Sequence, residues 1–154
     1  MVSGRELKES TRQSIIDAMN NGALWLVHQS IVGSKTRALQ SFEAFARWRH
    51  PSKGELTARE FLPLIEQCHL TTQFAEWSIR SVLQQGKLWT RQGLPLVPVS
   101  VNLSAKQFLG LDIVGLCASL AREIDVGLEW LRFDLDEVAL HADLQRAVDK
   151  IASL

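Results

Sequence analysis

The residues best suited to chemistry begin with Glu43 and Arg47, in the stretch Ser41-Phe42-Glu43-Ala44-Phe45-Ala46-Arg47-Trp48-Arg49-His50-Pro51. Read as a β-strand, this stretch puts Ser41, Glu43, Phe45 and Arg47 on one side. Phe42, Ala44, Ala46 and Trp48 share the other, which is uniformly apolar and needs a packed layer behind it. The first side carries an acid and a guanidinium two pleats apart, about 7 Å along the strand. Spacing alone leaves two readings open. The two residues form an internal ion pair on a half-exposed strand, or they are a carboxylate for a metal beside a guanidinium for a phosphate. Three further polar residues sit at or near the ends of apolar runs: Gln29, Asn102 and Asp134.

Positioning these residues requires regular elements around them. Ser3-Gly4-Arg5-Glu6 has capping-box spacing, and the apolar stripe Ile15, Ile16, Met19 predicts a helix over 4–20, ended by Asn20-Asn21-Gly22. An apolar strand is expected over 24–32, a turn over 33–36, and then the Glu43 strand, so the two should form a hairpin. A loop is expected over 51–55. Thr57-Ala58-Arg59-Glu60 is a second capping box opening a helix to about His69, and Thr71 or Thr72 should cap a long helix ending at Gln92-Gly93. A strand over 96–103 is followed by Ser104 as a helix cap, a helix over 112–123, a strand over 130–136 and a last helix from about Asp143. After the opening hairpin, strands alternate with helices. The fold class is therefore α/β with a largely parallel sheet, in which Gln29, Asn102 and Asp134 fall toward the rim where such folds build their sites.

Composition narrows the partners. The chain has 154 residues, enough for one domain with a real core, and 46% are hydrophobic against 22% charged. Seventeen basic residues balance seventeen acidic ones, which leaves no electrostatic footprint for a nucleic acid duplex or an anionic membrane, so phosphate recognition must be local. Cys68 and Cys117 are far apart and lack CxxC spacing, the pattern of buried free thiols in a reducing compartment. No apolar run approaches a membrane span and the N-terminus does not resemble a signal peptide, so the expected location is cytoplasmic. His28, His50, His69 and His141 show no ligand spacing with one another, and the tryptophans are read as core.

Glu43-Ala44-Phe45 followed by Ala46-Arg47-Trp48-Arg49-His50-Pro51 resembles the signature of EAL domains, the cyclic di-GMP phosphodiesterases of bacterial second-messenger signalling. There the pattern is Glu-Ala-Leu, one residue, then Arg-Trp, often with His-Pro. Other landmarks follow in order. His28-Gln29-Ser30-Ile31 resembles Tyr-Gln-Pro-Ile, and Phe61-Leu62-Pro63-Leu64-Ile65-Glu66 resembles Phe-Ile-Pro-x-Ala-Glu. Trp77 and Trp89 fall where the family keeps tryptophans, Ser100-Val101-Asn102-Leu103-Ser104 matches Ser-Val-Asn-Leu-Ser, and Leu131-Arg132-Phe133-Asp134-Leu135-Asp136-Glu137 resembles Leu-x-Leu-Glu-Ile-Thr-Glu. The resemblance covers roughly residues 20–154.

The resemblance implies the N-terminal half of an EAL-type (β/α)8 barrel, its first strand antiparallel to the rest. It implies metal-dependent hydrolysis of one phosphodiester bond of cyclic di-GMP to pGpG, with two Mg²⁺ or Mn²⁺ ions activating a water. Carried over by position, Glu43, Asn102 and Asp134 are metal ligands, Arg47 contacts a phosphate oxygen, Gln29 positions the substrate and Glu137 supports a catalytic loop. Alternatives stay open: Asn102 as a strand-end turn residue, Asp134 as a helix cap, Arg47 as a partner of Glu43. Departures are Phe45 for Leu, Ser30 for Pro, Asp136 for Thr, and Asp134 for Glu, the last withdrawing a carboxylate by about 1.3–1.5 Å.

A (β/α)8 barrel typically takes about 250 residues. The chain is therefore expected to comprise a lead-in helix over 1–22 and a truncated EAL domain over 23–154, with about four strands. The family's Asp-Asp-Phe-Gly segment, catalytic Lys and later Glu base have no counterpart here. The expectation is a chain inactive alone, which pairs with a copy of itself, a complementary half-barrel or another protein. The competing functions are a degenerate cyclic di-GMP receptor and a protein-interaction module.

Overall fold

The computed structural model describes residues 4–135. Helix α1 (Gly4–Asn21) leads into strand β1 (Leu24–Val32), which turns back into the twelve-residue β2 (Leu39–His50). The short β3 (Gly54–Thr57) runs directly into α2 (Ala58–Gln67), followed by the long α3 (Thr71–Arg91). Then come β4 (Val99–Leu103), the one-turn α4 (Ala105–Gly110), α5 (Ile113–Ile124) and β5 (Leu131–Leu135). The sheet order is β1-β2-β4-β5, with β3 paired to the upper half of β2. The expected hairpin forms: β1 is antiparallel to β2, whereas β2, β4 and β5 are mutually parallel.

The boundaries depart from expectation in four places, each with a local cause. The span 51–55 is not all loop. Gly54 takes a left-handed φ of +75°, which turns the chain so that Gly54–Thr57 pairs back on Arg47–His50. The Glu43 strand begins at Leu39 rather than Ser41, because β1 continues to pair with it to Val32. The strand expected over 96–103 begins at Val99. Pro98 has no N–H to donate to the ladder, and its carbonyl accepts from Phe42 N at 2.8 Å. Neither Thr71 nor Thr72 caps α3, whose N-cap position is Leu70, making no side-chain cap bond. Ser3, Glu137 and the helix from Asp143 lie outside the described residues.

The outer face of the sheet holds the core. Ala44, Val99, Val101 and Leu103 pack on Ala75, Ile79, Val82 and Leu83 of α3 and on Ile113, Cys117 and Leu120 of α5. A second cluster joins Ile15 and Ala18 of α1 to Leu24, Ala46, Trp48 and Leu56 of the sheet and to Phe61 and Ile65 of α2. Trp48 is 1% exposed and touches Phe61 edge-on, with ring centres 6.0 Å apart. Burying such a ring contributes on the order of 2–3 kcal/mol. Both thiols are free and buried, and burial pushes the Cys117 thiol up to about 11. Lys87 pairs with Asp125, and Arg80 with Glu76 and Glu123, tying α3 to α5 at the surface.

Helix α3 comes close enough to the loop before β5 for its buried Gly86 to face the Trp130 ring directly. A Cβ there would overlap the six-membered ring of a side chain only 3% exposed. Alanine gains about 1 kcal/mol of helix propensity over glycine, but overpacking costs about 1–3 kcal/mol. Gly86→Ala should therefore destabilise the chain in urea unfolding, and combining it with Trp130→Leu should cost less than the sum of the single changes. His28 gives a second check. Its ring packs among Phe42 and Trp89, its Nε2 is buried without a partner, and burial lowers its pKa below the ordinary 6.5. A neutral histidine in the folded state loses stability as pH falls through the unfolded value, about 6.5. Unfolding free energies measured between pH 7.5 and 5.5 should fall less steeply for His28→Phe than for the parent.

Candidate functional site

The inner face of the same sheet is mixed, with Val27 and Phe45 beside the polar residues of the rim. Register places Gln29 opposite Glu43, Glu43 beside Ser100, and Ser100 beside Arg132, giving one row across four strands. One step along, Asn102 lies directly beside Asp134. Parallel neighbours are about 4.8 Å apart, so the two side chains start from adjacent points and leave on the same face.

Asn102 ties the rows together. Its Nδ2 donates to Glu43 Oε1 at 3.0 Å and reaches Ala44 O at 3.5 Å. A carboxylate only accepts, so the amide must turn its NH2 toward Glu43, which leaves Asn102 Oδ1 outside that contact. Glu43 is half-buried, whereas Asn102 and Asp134 are exposed. The donor set is two carboxylates and an amide oxygen, all hard oxygen ligands suited to Mg²⁺ or Mn²⁺ rather than to a soft metal. Three such ligands with water completing the shell fit a Mg²⁺-type ion, which usually keeps several waters. Among the described residues no three His, Cys, Asp or Glu side chains gather into a cage that could hold a metal alone.

Arg47 projects from the same face of β2 as Glu43, yet the two do not pair. Arg47 Nε lies 3.7 Å from Glu55 of β3, and its Nη1 donates to Ala46 O at 3.0 Å. The ion-pair reading of Glu43 and Arg47 is thus replaced. Glu43 bonds an amide from β4, and Arg47 is steadied by an acid from β3, a strand whose turn-rich sequence reads as loop. Arg47 keeps part of its guanidinium fork for another anion.

A cleft of about 890 Å³ opens over this rim, lined by Arg47, Asn102 and Asp134 together with Arg59 and Glu66 of α2. Capping fixes its walls. Glu60 accepts from both the N–H and the hydroxyl of Thr57 at the start of α2, which holds its carboxyl below the usual range. Ser104 Oγ accepts from Gln107 N at the start of α4. Gln29 sits across from Glu43 on the exposed part of β1, and neither of the two lines the cleft; Glu43 reaches it through its bond to Asn102. Glu137 lies outside the described residues. Glu55, Arg59 and Gln107 were not singled out in the sequence; for Gln107 a signal existed, the Ser-x-x-Gln spacing of a capping box.

Comparison with known proteins identifies relatives of the chain and of its fold. Over 118 residues the chain is 30% identical to the cyclic di-GMP phosphodiesterase PA2567 of Pseudomonas aeruginosa, covering 77% of this chain and 20% of that protein. It is 35% identical over 97 residues to the bifunctional diguanylate cyclase/cyclic di-GMP phosphodiesterase MucR of the same species, covering 63% of this chain and 14% of that one. The solved PaMucR phosphodiesterase in complex with c-di-GMP superposes with a TM-score of 0.83 at 26% identity, over 94% of this chain and 58% of that chain. The chain therefore spans a minor part of these curated relatives and somewhat over half of the solved domain. Its fold is the N-terminal part of the (β/α)8 barrel of that group. The EAL domain model matches residues 12–154, and the chain belongs to the EAL domain family.

Proposed function

We propose that this chain contributes the N-terminal half of a cyclic di-GMP site, in which Glu43, Asn102 and Asp134 hold a divalent cation and Arg47 takes a phosphate oxygen. The observation that carries this reading is the Asn102–Glu43 hydrogen bond at 3.0 Å with Asp134 in register beside Asn102. Three neighbouring strands thereby carry oxygen-bearing side chains on one face, which supports the reading. Mg²⁺ or Mn²⁺ bound there would polarise the phosphodiester and lower the pKa of a bound water. The chain's own residues do the rest. Arg47 orients the phosphate while Glu55 holds the guanidinium's inner edge, and Gln29 and Glu137 complete the substrate contacts and the loop support.

Hydrolysis by the isolated chain is not part of the proposal. The open inner face of β1-β2-β4-β5 favours pairing with a second copy, a complementary half-barrel or another partner protein. The free, buried Cys68 and Cys117 support a reducing, cytoplasmic setting. No helix among the described residues is long and apolar enough to cross a membrane.

Four measurements test this. Titration with Mn²⁺ should show saturable binding that Asn102→Ala or Glu43→Ala weakens tenfold or more, and Mn²⁺ affinity unchanged by both substitutions would end the reading. With Mn²⁺ or Ca²⁺ present, Arg47→Ala should weaken cyclic di-GMP binding by about 1.5–3 kcal/mol, the range for a charge-assisted hydrogen bond, while leaving Mn²⁺ binding intact. Chromatography of the reaction mixture is expected to show no pGpG from the chain alone. Light scattering should give a mass above that of one chain, and a monomer without exposed apolar surface would reject the pairing.

A further inference from the structure

Gln107 is one of the few buried polar side chains among the described residues, 7% exposed. Its hydrogen bonds reach two separate elements. Oε1 accepts from Ser104 N at 2.8 Å, and Nε2 donates to Thr71 O at 3.1 Å. Its backbone N–H donates to Ser104 Oγ at 3.2 Å. The Ser104 contacts close the capping box of α4. A capping box is complete without the Thr71 bond, which spans 36 residues and fastens the start of α4 to the start of α3.

That fastening lies two steps from the rim. Ser104 directly follows β4, Leu103 before it is 4% exposed in the core, and Asn102 comes before that. Thr71, Asn102, Ser104 and Gln107 all line one cleft. An amide aimed at a carboxylate is sensitive to small shifts of its backbone, and Asn102 must hold its Nδ2 on Glu43 while keeping Oδ1 clear. A helix of six residues contributes little rigidity of its own. Leu103 and Phe108 hold the β4–α4 turn through apolar burial, and the hydrogen bond to α3 adds the directional tie that burial does not supply.

We propose that Gln107 is a positioning residue: by bridging Ser104 to Thr71 O it fixes the β4–α4 turn so that Asn102 presents its amide to Glu43 and its oxygen to a cation. This rests on the metal reading of the rim given above. Supporting groups behind metal ligands typically alter affinity 10–100-fold when removed.

Gln107→Glu isolates the bridge. A glutamate at this position still accepts from Ser104 N, so the capping box survives, but it has no hydrogen to give Thr71 O. The full chain is compared with this variant by two readouts: the side-chain amide resonances of Asn102 without metal, and the affinity for Mn²⁺. The expected result is a shift of the Asn102 amide pair toward solvent-exposed values together with Mn²⁺ binding weakened tenfold or more. Gln107→Met, similar in length but without either polar atom, gives the same two readouts should the acid fail to fold. A folded variant with unchanged Asn102 resonances overturns the positioning role, whatever its metal affinity. Absence of Mn²⁺ binding in the parent chain overturns the metal reading instead, and the Asn102 resonances then decide the bridge on their own.

Discussion

The pleat of β2 is the constraint on which the rest depends. A strand offers two faces and alternates strictly between them, so a sequence can assign each residue to one environment only. In β2 the odd positions 43, 45 and 47 face the inner side, and the even positions 44, 46 and 48 are buried in the two core clusters. A one-residue slip would drive Glu43 and Arg47 into the helix layer and expose Trp48. The apolar side therefore does more than stabilise the domain. It locks the parity that brings an acid and a guanidinium to the rim.

The same parity runs across the sheet. Val99, Val101 and Leu103 bury one side of β4, which forces Ser100 and Asn102 to the other. In β5, Arg132 and Asp134 are exposed, while Leu131 and Phe133 pack against the core. Three strands, each patterned locally, then meet through register to align Asn102 with Asp134 and Glu43 with Ser100. Separation in sequence, 59 residues between Glu43 and Asn102, is irrelevant once the register is set.

Most of this is legible in the sequence. Alternation in 41–50 gave the faces of β2, the order of apolar runs gave the α/β class, and the extended motif around Glu43 gave the family. Less local facts were not legible. Glu55 reads as loop because Pro51-Ser52-Lys53-Gly54 is turn chemistry, and only the left-handed Gly54 reveals a strand folding back to Arg47. Spacing in β2 therefore leaves pairing with Glu43 as one of two readings for Arg47, and Glu55 as its partner is not visible. Gln107 was hidden differently. Its capping spacing is visible, but the second bond to Thr71 depends on how α3 and α4 pack, which no local pattern encodes. Leu70 at the start of α3 shows the converse, since tertiary packing starts that helix without the threonine cap that propensity suggests.

Strand β2 is paired on both edges at two places, by β1 and β4 over Phe42–Ala44 and by β1 and β3 over Arg47 and Trp48. Among the described residues β5 is joined on one edge only. Glu43 and Arg47 thus stand on a strand bonded on two sides, and Asp134 stands in line with Asn102 of the neighbouring β4. The spacing of the rim is therefore inherited from the register of the backbone ladder rather than from any contact between the side chains themselves.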